Sequence, residues 1–119
     1  MERLRMLPPG VRAIYATLHV ENEVNNGGFD QYFCNSEGRL AELAIEGFAY
    51  LETPRYAELM KRAVAAWRLE ETLTEVELED WSLGVFDDEF YELGKMSDLS
   101  RIRVSFVRSH TDEFFMPPA

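Results

Sequence analysis

The chain has 119 residues, 46% apolar and 13% aromatic, the composition of one globular domain rather than of a disordered acidic tail. Its formal net charge of −10 disfavours nucleic acid, itself a polyanion, as a direct ligand. The single cysteine allows no internal disulfide, the opening MERLRMLPPG lacks the apolar run and cleavage site of a signal peptide, and no stretch nears the ~18 apolar residues of a membrane span. A cytoplasmic protein is expected.

In chain order, Pro9 to about Glu23 reads as a first helix, with Val11, Ile14, Tyr15 and Leu18 at helical spacing. Asn25, Asn26, Gly27 and Gly28 tolerate positive φ and stop it. A short second helix follows, its aromatic stripe made by Phe29, Tyr32 and Phe33 at i, i+3 and i+4. Asn35-Ser36-Glu37-Gly38 breaks it. Arg39 to about Leu51 is a third helix through Leu40, Leu43, Ala44 and Phe48, with Gly47 placed for a close helix crossing. Thr53 as N-cap and Pro54 at the first helical position open a fourth, running to about Glu71.

Thr72 to Gly84 has no single period: Val76, Leu78 and Trp81 fit a helix or an extended segment. Phe86 to Leu93 reads as a short helix ending at Gly94, and Ser97 as the cap of a last helix carrying Leu99, Ile102, Phe106 and Val107. Thr111 to Phe115 is expected as a docked terminal turn and Met116–Ala119 as a frayed end. The fold class is therefore all-α, one compact domain spanning 1–119 with five to seven short helices.

The net charge is concentrated. Residues 1–68 balance to −1 and residues 93–119 to +1, whereas residues 70–92 carry ten acids and no lysine or arginine. Those acids are Glu70, Glu71, Glu75, Glu77, Glu79, Asp80, Asp87, Asp88, Glu89 and Glu92, the expected partner-binding residues. Were residues 70–80 helical they would span ~16 Å, one carboxylate per ~2.7 Å, within a factor of two of the ~1.7 Å per charge along duplex DNA. Such a surface suits a basic groove that otherwise meets phosphates; the bland alternative is a solvated face that keeps the chain soluble. Apolar residues inside the segment (Leu73, Val76, Leu78, Trp81, Phe86, Phe90) point to a folded surface.

Asn25, Asn26, Gly27, Gly28, Phe29, Gln31, Tyr32, Phe33 and Asn35 form a second notable stretch, a structural corner with aromatics beneath it. Gln31 and Asn35, four apart, are placed to hydrogen-bond exposed backbone ends there, and the functional reading makes Asn25, Gln31 and Asn35 a polar ligand pocket. Catalytic constellations are weak. His19 and Glu23 sit at i, i+4 with no third metal ligand, His110 lies at a helix C-terminus, and Cys34 after the aromatic run reads as buried and inert. Asp87-Asp88-Glu89 is at most an adventitious cation site. No catalytic residue, metal or cofactor is expected.

The run Asn25 to Phe33 with Asn35, Ser36 and Gly38 resembles the signature of a bacterial DNA-mimic protein family first catalogued as a domain of unknown function. Phe86 to Tyr91, the final helix and Asp112-Glu113-Phe114 fit the same resemblance, with Cys34 standing where an aromatic is expected. The resemblance implies a helical acidic fold that imitates duplex DNA and occupies a DNA-binding protein such as a transcription factor, without catalysis. It leaves three readings on the page: a DNA mimic with a basic protein partner, an immunity or antitoxin protein covering a basic toxin, and a ligand-binding or enzymatic domain at the Asn25/Gln31/Asn35 corner. A homodimer is compatible with all three, and a membrane partner with none.

Overall fold

The computed structural model describes residues 2–36 and 38–114. All regular elements among them are helical: α1 (Glu2–Arg5), α2 (Pro9–Ser36), α3 (Ala41–Tyr50), α4 (Pro54–Leu69), a 3-10 turn (Glu70–Thr72), α5 (Glu75–Glu79), α6 (Gly84–Met96), α7 (Leu99–Ser109) and α8 (Thr111–Phe114). The expected all-α domain is what forms. Glu37 in the expected break, Phe115 in the terminal turn and the Met116–Ala119 end lie outside the described residues.

Several boundaries differ from the sequence reading. The first two expected helices are joined in α2, which runs through Asn25 and Asn26 and departs from helical angles at Gly27 (φ −158°, ψ 17°) and Gly28 (φ 78°, ψ −178°). The first half passes Glu23 because two exposed asparagines cost a helix at most about 0.7 kcal/mol each, which packing of the helix face outweighs. Helix α6 continues through Gly94 to Met96. Asp98, not Ser97, caps α7: its carboxylate accepts from the N–H groups of Ser100 (2.9 Å) and Arg101 (3.3 Å), and a charged acceptor also suits the positive end of the helix. Thr53 precedes Pro54 as expected, but its hydroxyl donates back to the Phe48 carbonyl at 2.7 Å and so pins the α3–α4 turn. The short α1, which sequence periodicity does not mark, is strapped to α2 by the Arg12 guanidinium donating to the carbonyls of Arg5 and Leu7.

The core lies where α2, α3 and α4 pack together and α6 closes over them. Phe29, Tyr32 and Phe33 are all at most 2% exposed, so the aromatic stripe is the centre of that core. Phe33 stacks on Trp67 of α4 at 4.7 Å between ring centroids, and Phe29 meets Phe90 of α6 edge-on at 6.0 Å. Gly47 stands at the α2–α3 crossing; a Cβ there would lie 3.0 Å from the Ala13 Cα and 3.1 Å from the Thr17 Cγ2. Helix α7 is tied down by a partly buried ion pair: buried Arg103 reaches Glu21 at 2.6 Å and donates through Nε to the Thr17 hydroxyl at 3.1 Å. Tyr56 donates to the Ser97 carbonyl at 2.9 Å, its phenol pushed up to about 12 by burial and by the nearby Glu21 charge.

The break in α2 is held from outside. The Phe29 N–H, in the first turn after the break, donates to Asp87 Oδ1 at 2.8 Å. The Val24 carbonyl, in the last turn before it, accepts from the Tyr91 hydroxyl at 2.9 Å. Asp87 and Tyr91 are four apart on α6, so one helical turn serves both sides of the break. Gly28 is required twice: its φ lies in the left-handed region, and a Cβ would meet Asp87 Oδ2 at 2.4 Å. Gly28→Ala is expected to lower the unfolding free energy by about 1–3 kcal/mol, read from the urea midpoint, with m unchanged.

Candidate functional site

The acidic segment begins where α4 ends. Residues 70–80 contain no buried side chain, so the 3-10 turn and α5 stand as a lobe on the surface. Two local devices give the lobe its shape. Thr74 and Glu77 form a capping box, the Glu77 N–H donating to the Thr74 hydroxyl at 3.2 Å while the Thr74 N–H donates to Glu77 Oε1 at 3.1 Å. Trp81 donates through Nε1 to Glu70 Oε1 at 2.9 Å, closing the lobe across eleven residues. Val76 and Leu78 point outward, 74% and 41% exposed, so the apolar residues expected to anchor this segment are partly surface.

The ten acids divide into two groups. Glu89 forms a two-armed ion pair with Arg62 (2.7 and 2.9 Å), and Glu92 pairs with Lys95 at 2.9 Å. Glu70 and Glu77 hold the lobe, and Asp87 caps the second half of α2. Glu71, Glu75, Glu79, Asp80 and Asp88 are exposed and form no ion pair or hydrogen bond with a described residue. Glu75 and Glu79 project one turn apart, ~6 Å along α5, about two nucleotide steps at ~3.4 Å per charge along one DNA strand. Asp30, from the corner motif, adds its charge beside Asp87 and Asp88. Sequence reasoning missed it because it sits 40 residues before the acidic run; its signal was the helix phase, which buries 29, 32 and 33 and turns 30 outward.

The corner has its own chemistry. Gln31 and Asn35 do not bond backbone ends; their side-chain amides both donate to Glu23 Oε2, at 2.8 and 2.9 Å. Those two bonds hold the Glu23 carboxyl below its ordinary range, so it stays ionised. Asn25 is exposed and stands apart from that arrangement, which joins Gln31 and Asn35 to Glu23. His19 packs its ring edge-on against buried Tyr32 at 5.7 Å rather than joining Glu23 around a metal. Cys34 is exposed, not buried: the phase that buries Phe29, Tyr32, Phe33 and Ser36 leaves 30 and 34 on the outer face. Among the described residues no three His, Cys, Asp or Glu side chains gather as a metal site, and no helix is long and apolar enough to cross a membrane.

The model of the family described as "DMP19-like protein" matches residues 5–110, nearly the whole chain and both segments just described. No curated protein and no solved structure gives a significant match.

The Asp87 carboxyl is raised above its ordinary range. Burial is the main cause, opposed by the Phe29 N–H and reinforced by the charges of Asp30 and Asp88. A raised folded-state value means that the folded chain holds the proton more tightly than the unfolded chain. Asp87 therefore contributes most below its unfolded pKa of 3.8, and that contribution is lost as pH rises through the higher folded value. Asp87→Asn keeps an acceptor for Phe29 and cannot titrate. The stability of the parent minus that of Asp87→Asn is expected to fall as pH rises from about 3.5 to 7, measured by chemical denaturation; the opposite slope would show that the cap favours the ionised carboxyl.

Proposed function

The chain belongs to the DMP19-like family of DNA-mimic proteins, and from that membership we propose that it is a non-enzymatic protein whose acidic lobe binds the nucleic-acid-contacting surface of a basic DNA-binding protein, such as a transcription factor. The observation that carries the reading is the group of exposed carboxylates, Glu71, Glu75, Glu79, Asp80 and Asp88, which pair with no cation among the described residues. Carboxylates already paired internally would have to break those pairs before meeting a partner. Unpaired ones on a capped, closed lobe meet it at once, and their field steers a basic surface toward them.

The division of the acids refines which residues touch the partner. Glu71, Glu75, Glu79 and Asp80 form the contact set, with Asp30 and Asp88 as a second patch at the corner. Glu70, Glu77 and Asp87 support the fold of those patches, and Glu89 and Glu92 are neutralised by Arg62 and Lys95. Exposed Val76 adds an apolar contact within the contact set.

Replacing Glu75, Glu79 and Asp80 together with lysine is expected to abolish capture of the basic partner from lysate while leaving the far-UV circular dichroism spectrum unchanged. Asp87 is left in place in this variant because it caps α2. Capture by the parent chain should be strong at low ionic strength, where the screening length is ~30 Å at 0.01 M salt, and lost toward ~3 Å at 1 M. Capture that survives the triple reversal would remove the lobe from the interface.

A further inference from the structure

The charge of the chain has a second pole. Among the described helices α7 alone has no acidic residue: Leu99–Ser109 carries three arginines and neither aspartate nor glutamate, on a chain of net charge −10. Arg103 is turned inward, onto Glu21 and Thr17. Arg101 and Arg108 stand outside, two helical turns or ~10 Å apart along the axis, with Val104, 49% exposed, between them. Together with Ser100, Ser105 and Ser109 they line one shallow recess on the outer face of α7. The Arg108 side chain forms no ion pair or hydrogen bond with a described residue, and Arg101 has only a 3.9 Å contact with Asp98, its side chain 89% exposed.

The lobe carries the opposite pattern on a similar scale. Glu75, Glu79 and Asp80 neighbour Val76 at i−1, i+3 and i+4, and Val76 is 74% exposed. Among the described residues no ion pair joins α7 to the lobe within one chain, so the two surfaces are complementary but do not meet in the same molecule. We propose that they meet between molecules: the acidic lobe of one copy docks on the outer face of α7 of a second copy, its carboxylates on Arg101 and Arg108 and its Val76 against Val104. A second copy is the occupant the chemistry favours, because it brings unpaired carboxylates and an exposed valine within one helical turn of each other. The contact is head-to-tail, each copy offering one of each surface. It occupies the same carboxylates that a basic partner would meet, so the second copy and the partner compete for the lobe. The contact rests on the exposed charge of the lobe, and only the competition rests on the basic-partner reading.

Net charge gives the association a signature. Two copies of charge −10 repel, and a screening length of ~30 Å at 0.01 M salt lets that repulsion act. Near 0.15 M the length falls to ~8 Å and leaves the contact pairs, which at 1 M are themselves screened at ~3 Å. Sedimentation equilibrium of the chain alone, from about 0.05 to 1 mM, should show a mass that rises with concentration, with a Kd on the order of 1 mM, most strongly near 0.15 M salt. Arg101→Glu with Arg108→Glu should weaken association about tenfold or more, as should the triple lysine reversal of the lobe. The neutral pair Arg101→Gln and Arg108→Gln should weaken it about threefold with the circular dichroism spectrum unchanged. A chain carrying both reversals should associate again, because cations and carboxylates have changed places. The α7 reversal should leave capture of a basic partner intact, so failure of this contact is separable from failure of the lobe. Association that persists in the α7 reversal, that keeps rising to 1 M salt, or that stays absent in the doubly reversed chain would overturn the proposal. So would binding of a duplex of about 20 base pairs that depends on Arg101 and Arg108 in a chain that stays monomeric, which would make the stripe a nucleic-acid contact.

Discussion

The structure depends on how one broken helix is repaired. Gly27 and Gly28 turn the chain within α2 and leave a backbone donor at Phe29 and a carbonyl at Val24 facing α6. Buried backbone groups must find partners, and here a carboxylate and a phenol spaced by one helical turn supply both. The arrangement fixes the angle between the two halves of α2. That angle sets the phase of the second half, and the phase sends Phe29, Tyr32 and Phe33 inward to Phe90 and Trp67. The glycine corner and the Asp87–Tyr91 turn, 58 residues apart in sequence at their shortest bond, are one structural unit. A family match that spans both is what such a unit requires.

The same unit explains why an acidic segment can fold without cations of its own. Ten like charges in 23 residues repel, and a lobe made of them alone would have little to hold it. Half of the charges are drawn into roles that hold it: Glu70 on Trp81, Glu77 on Thr74, Asp87 on Phe29, Glu89 on Arg62 and Glu92 on Lys95. What remains unpaired is a smaller set, held by the carboxylates that are not free. Function in this reading comes from the residue of charge left after the fold has used what it needs.

Local patterning showed much of this in the sequence. The aromatic stripe at 29, 32 and 33, the close crossing at Gly47, the Thr53-Pro54 start and the concentration of acids all follow from spacing and side-chain chemistry within a few residues. What was not legible depends on partners distant in sequence or on phase. Asp87 reads as one more surface acid until Phe29 is placed against it. Gln31 and Asn35 read as caps for backbone ends until Glu23 is placed between them. Cys34 follows an aromatic run and so reads as core, but the run is a stripe with one face, and residue 34 falls on the other. Asp98 displaced Ser97 as a cap by a single residue, a contest between two good capping side chains that the bare sequence leaves even.

The Trp81–Glu70 hydrogen bond has a consequence for motion. With no buried side chain between residues 70 and 80, that indole bond and the Thr74–Glu77 box are what separate the ordered lobe from an open loop. Its opening need not disturb the aromatic core, and a segment with no buried side chain opens at a lower free energy than core helices such as α2 and α4. A partner that clasps the lobe therefore quenches a fluctuation as well as meeting a charge, and the entropy of that ordering is subtracted from the affinity it gains.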